Sequence, residues 1–71
     1  MSNTVRSDLT AKVWKIVVSV GGKIAADETV MILESMKMEI PVDSPIAGKV
    51  KSIEVKEGDA VKEGQILFVI E

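Results

Sequence analysis

Cysteine, histidine and tyrosine are absent from the 71 residues, and there is one tryptophan and one phenylalanine. Without a thiol there is no disulfide staple and no thiolate nucleophile. Without an imidazole the usual soft-metal ligand and proton-transfer group are missing too. No metal site and no catalytic residue are therefore expected. Only Trp14 and Phe68 could stack on a base, and the lysines stand singly among acids, so nucleic acid is not an expected partner. Nine basic against eleven acidic side chains leave a net charge of -2, with no strong electrostatic signature for a polyanion. No apolar stretch approaches the roughly 20 residues that cross a bilayer. The start Met1-Ser2-Asn3-Thr4-Val5-Arg6 also lacks the apolar centre of a secretory signal. The expectation is one small domain over residues 1–71, cytoplasmic, without membrane contact and monomeric in isolation.

What the chain does contain is a repeat of itself. Lys12-Val13-Trp14-Lys15-Ile16-Val17-Val18-Ser19-Val20-Gly21 aligns with Lys49-Val50-Lys51-Ser52-Ile53-Glu54-Val55-Lys56-Glu57-Gly58 at an offset of 37 residues. The register continues without a gap. Ile24 falls on Val61, Asp27-Glu28 on Gly64-Gln65, Val30-Met31-Ile32-Leu33 on Leu67-Phe68-Val69-Ile70, and Glu34 on Glu71.

In both copies the apolar pattern begins at a valine, slips phase, and resumes at an isoleucine three positions on (Val13 and Ile16; Val50 and Ile53). A regular strand alternates with period two, so the slip predicts a bulge or sharp bend in each copy. The β-branched content and the closing glycines, Gly21 and Gly58, favour strand and turn over helix. Gly21-Gly22 and Gly58-Asp59 supply positive backbone angles, and Asp27-Glu28 and Glu63-Gly64-Gln65 read as second turns. Strands are expected near 4–8, 12–19, 29–35, 38–42, 48–55 and 66–70, with Ile24 and Val61 as small anchors. The fold class is all-β: two quasi-symmetric halves packing face to face about a pseudo-twofold axis as a flattened barrel or sandwich. The axis leaves the central hairpin at one end and the termini at the other. Asp43-Ser44-Pro45 reads as a turn leading to Ile46-Ala47-Gly48, whose small residues permit close approach of the halves. Trp14, which takes the place of Lys51 in the repeat, is expected to pack partly against the N-terminal strand, with an exposed partner-binding role as the alternative.

At the join lies Ile32-Leu33-Glu34-Ser35-Met36-Lys37-Met38-Glu39-Ile40-Pro41-Val42. Apolar strand material flanks Met36-Lys37, a pair able to form the tip of a two-residue hairpin although neither is a usual turn former. A primary amine on a four-carbon stem can be acylated to a stable amide, losing its charge. Met36 and Met38 offer soft apolar contacts on either side. Pro41 suits a strand edge or bulge, because it has no N–H for a ladder. Glu34 and Glu39 read as surface acids that shape a recognition face, since no pocket can be argued around them for acid–base work.

The segment Glu34-Ser35-Met36-Lys37-Met38-Glu39-Ile40-Pro41-Val42 resembles the attachment segment of biotin carrier domains. Val50, the Glu57-Gly58-Asp59 turn, Val61, the Glu63-Gly64 turn and the closing strand resemble their C-terminal half, so the similarity spans residues 5 to 71. The resemblance implies two four-stranded halves with the acceptor lysine on a protruding hairpin. It implies a non-catalytic biotin carboxyl carrier with Lys37 as the covalent biotin site and Met36, Met38, Glu34 and Ser35 around it. Biotin protein ligase, biotin carboxylase and carboxyltransferase are the implied partners. The related lipoyl domains carry their lysine in an Asp-Lys setting, whereas methionines occupy both adjacent positions here; a lipoyl carrier is the alternative, and an unmodified scaffold the other. Asp27 stands where the family's first half often has glycine, Gly21-Gly22 where glycine followed by an acid is common, and Ser7-Asp8-Leu9-Thr10-Ala11 carries no proline. No inserted thumb loop is visible, which points to the thumbless carriers of acyl-CoA or keto-acid systems. The absence of an Ala/Pro-rich N-terminal linker leaves a free-standing carrier or an excised domain.

Overall fold

The computed structural model describes residues 3–71, in eight strands: β1 (Asn3–Arg6), β2 (Ala11–Ile16), β3 (Lys23–Ile24), β4 (Thr29–Ser35), β5 (Met38–Asp43), β6 (Gly48–Ile53), β7 (Ala60–Val61) and β8 (Ile66–Ile70). They form two four-stranded antiparallel sheets, ordered β1-β8-β6-β3 and β5-β4-β2-β7. The sandwich expected from the repeat is present, but its layers are not the sequence halves. Each sheet takes two strands from each half, so the copies clasp by exchanging strands rather than by stacking as separate faces. The exchange joins the ends of each half to the other by main-chain bonds, such as Val13 N to Asp59 O (2.8 Å) and Val50 N to Gly22 O (2.9 Å).

The 37-residue repeat holds in three dimensions. The ladder slips between Val13 and Lys15 in β2 and between Val50 and Ser52 in β6, at the positions where the apolar phase slips. The repeat also reaches further toward the N-terminus than the apolar pattern showed, for Val5-Arg6-Ser7 corresponds to Val42-Asp43-Ser44. Ser7 and Ser44 are both buried. Each donates its hydroxyl two residues on, to Leu9 O and Ile46 O respectively, at 2.6 Å. Both are also tied across the halves, Ser7 N to Gln65 O (2.9 Å) and Ser44 N to Glu28 O (2.9 Å). Three of the expected strands end early: residues 7 and 8 leave β1, residues 17–19 leave β2 and residues 54 and 55 leave β6. Val17 N and Glu54 N still reach Val30 O (3.0 Å) and Leu67 O (2.8 Å), one bond each beyond the strand ends, before the chain turns.

Asp27 does the work of a glycine. Its φ is 67° where its repeat mate Gly64 has 87°, and its amide bonds Ser44 O (2.7 Å) as the amide of Gly64 bonds Ser7 O (2.8 Å). A short polar side chain is among the few that tolerate this left-handed region.

The core lies between the sheets. Val13, Val30, Leu33, Val50, Leu67 and Ile70 are buried there, with Phe68 and Met31 the largest buried side chains. Gly48 marks a close approach of the chain: a β-carbon there would stand 2.5 Å from Glu71 O and 2.9 Å from Ile70 Cγ2. Gly48→Ala is therefore expected to lose about 1–3 kcal/mol to overpacking, read as a lower denaturation midpoint at unchanged slope. Trp14 departs from the first of its two expected placements. It is the extra residue of the β2 bulge and is 48% exposed, while the N-terminal strand β1 belongs to the other sheet. The sheet exchange removed the neighbour it was expected to pack against.

Candidate functional site

The β4–β5 hairpin slips register once, between Thr29 and Met31, and from Met31↔Val42 keeps its ladder up to Ser35↔Met38, leaving Met36 and Lys37 as a two-residue turn. Both turn residues have positive φ, 53° and 64°. That is the signature of the hairpin turn whose twist matches the flanking strands, normally filled by asparagine and glycine. Two L-residues with full side chains there cost about 1–2 kcal/mol each. The tip is held in this conformation by the strands below it, where Leu33 and Met31 enter the core.

The hairpin stands at the end of the body away from the termini. Lys12 pairs with Glu34 beside the tip, while Asn3 pairs with Ile70 at the far end of β1 and β8. The side chains at the tip face solvent: Met36 is 91% exposed, Met38 64%, and Lys37 is exposed. Exposed methionine on both sides of an exposed amine is not explained by packing. A strained backbone that displays three side chains to solvent points to use by another molecule.

The other residues singled out from sequence fall beside the tip. Ser35 closes the ladder opposite Met38 and is half-buried, so it supports the turn. Glu34 and Glu39 sit directly opposite each other and are exposed, a like-charge pair that a sheet disfavours. Lys12, on the other side of Glu34, offsets part of that repulsion. Pro41 lies on β5, an edge strand, where its missing N–H costs no ladder bond.

Nothing among the described residues suggests chemistry elsewhere. A cleft of about 200 Å³ opens between the end of β1 and β5, lined in part by Val5, Arg6, Leu9, Ile40 and Val42, but Glu34 and Glu39 do not line it. No group of three or more acids stands close enough to hold a metal ion among the described residues, and among them no helix is long and apolar enough to cross a membrane.

Comparison with known proteins bears on this geometry. The family model described as "Biotin-requiring enzyme" matches residues 2–70. The chain is 41% identical over 70 residues to the "Biotinylated protein TB7.3 homolog" of Mycobacterium leprae, covering 99% of each. It is 45% identical over 65 residues to the "Biotin/lipoyl attachment protein" of Bacillus subtilis, covering 92% of this chain and 89% of that one. Among solved structures, the Kluyveromyces lactis urea carboxylase superimposes with a TM-score of 0.94 at 37% identity, over 100% of this chain and 6% of that one. A hairpin presenting one amine from an exchanged β-sandwich, together with these matches across the whole described chain, places the protein in the biotin/lipoyl attachment domain family, of the biotin carboxyl carrier type.

Proposed function

We propose that Lys37 is the site at which biotin protein ligase attaches biotin through an amide, and that the loaded domain carries carboxylate from a biotin carboxylase to a carboxyltransferase. The observation that carries this reading is the tip itself: an exposed amine between two exposed methionines, on a turn whose strain serves no packing purpose. The residues present fit the group. The amine is open to acylation, and Met36 and Met38 supply apolar surface beside the arm that would result, about 10–15 Å long when bond lengths are added. Bound biotin supplies a ureido nitrogen able to accept and release carboxylate. The chain's own part is presentation. It keeps the amine away from the body, and tethering raises the local concentration of the carried group into the millimolar range when the linkage spans both enzymes.

The name of the Bacillus relative spans biotin and lipoate, so lipoylation of Lys37 is the second reading. Methionine in place of an acid before the lysine favours biotin. Co-expression with a biotin ligase followed by intact mass measurement tests both. One biotinyl increment that maps to Lys37 is expected; a lipoyl increment, or none, overturns the proposal.

A further inference from the structure

The repeat provides an internal control for which surface features the fold itself needs. On the outer face of the lysine-bearing sheet, Lys15 pairs with Ile32 and Ile32 with Pro41, with Trp14 in the bulge beside them. The equivalent row of the other sheet is Ser52, Val69 and Thr4, with Lys51 in the bulge. The same backbone thus carries Trp14, Ile32 and Pro41 on one face and Lys51, Val69 and Thr4 on the other. Just past the strand, Val17 is 48% exposed where its mate is Glu54. Lys15, facing Ser52 in the other copy, interrupts the row, but an apolar stripe is still not a requirement of this scaffold, because the other copy is polar at three of the four positions of Trp14, Ile32, Pro41 and Val17. The stripe lies on the same sheet as Lys37 and is bordered on the side of the tip by the Lys12–Glu34–Glu39 row.

We infer that this stripe, centred on Trp14, is the docking surface for the ligase that modifies Lys37, an inference that rests on the proposed function above. The ligase meets the chain before any prosthetic group is attached, so it must draw recognition from protein surface alone. It must also choose one amine among eight lysines on a body that is nearly twofold symmetric. A face that breaks the symmetry and runs up to the correct hairpin does both. The complementary surface is an apolar groove that receives Trp14, edged by basic side chains opposite the unfavourable Glu34–Glu39 pair, which a cation would relieve. A half-exposed tryptophan is the residue type that most often dominates such an interface.

The test is steady-state biotinylation of the full chain by a biotin ligase, with Trp14→Lys and Pro41→Thr, each copying its repeat mate, and Thr4→Ala as the control on the other face. Because the scaffold already carries Lys51 and Thr4 at these positions, the variants should unfold at the wild-type temperature. Trp14→Lys is expected to raise KM about tenfold or more with kcat unchanged. Pro41→Thr should raise it less, and Thr4→Ala should leave it alone. Unchanged KM in Trp14→Lys overturns the docking surface while leaving Lys37 as acceptor. A concentration-dependent dimer broken by Trp14→Lys also overturns it, assigning the stripe to a second copy. Failure of the wild-type chain to be biotinylated removes the proposed function and this inference with it.

Discussion

Phe68→Ala is expected to destabilise the fold by about 3–5 kcal/mol, whereas Phe68→Met should cost under about 1.5 kcal/mol. Phe68 is fully buried in β8, a central strand paired with both β1 and β6, at Val5 and Ile53. Its repeat mate is Met31, also fully buried, in the equivalent strand β4. The scaffold thus already accommodates methionine at the corresponding place, and an unbranched thioether can fill an irregular space. Alanine leaves a cavity instead. A domain of this size has roughly 4–10 kcal/mol of stability in total, so the truncation removes a large part of it. Urea denaturation followed by circular dichroism separates the two variants; equal losses would show that the two halves of the core are not packed alike.

The same repeat shows how much was legible beforehand. The main strands, the bulges in β2 and β6 and the fold class followed from valine and isoleucine spacing, because one buried face imposes period two and a bulge breaks it visibly. The two further ladder slips, at Val5/Arg6 and Thr29/Met31, were not legible. The hairpin was legible only because it joined two matching halves, since Met36-Lys37 has no turn propensity of its own. The exchange of strands between sheets was not legible. A pattern of apolar residues says which face of a strand is buried but not which strand lies beside it. Trp14 was assigned the wrong neighbour for that reason. The correspondence of Ser7 with Ser44 was present in the residues at the same offset, but polar positions carry no signal when apolar periodicity is the guide. Their burial shows that they anchor the connections between halves. The left-handed Asp27 was read as a turn residue, while the equivalence with Gly64 explains which angle that turn requires. The stripe of Trp14, Ile32 and Pro41 could have been found only by comparing the two copies for what differs.

Exchanging the two turn residues, Met36→Lys with Lys37→Met, is expected to abolish modification although an exposed amine remains at the tip. Lys37→Arg sets the baseline. It removes the proposed acceptor while keeping the charge, and because the residue is exposed its stability should stay within about 0.5 kcal/mol of wild type. The exchange asks a sharper question. Composition, net charge and both positive φ values are preserved, since each residue already occupies that region in its own position. Only the origin and direction of the amine change, by one residue around a tight turn whose two members leave the backbone along different lines. A group transfer between a bound acyl donor and an attacking amine is sensitive to displacements of about 1 Å, which can cost about a hundredfold. The exchanged chain should therefore fold as wild type and be labelled at least about a hundredfold more slowly in a single-turnover assay read by intact mass. Labelling of the exchanged chain at the wild-type rate would mean that any amine on the tip suffices. The strain at Met36 and Lys37 would then have no part in selecting the acceptor.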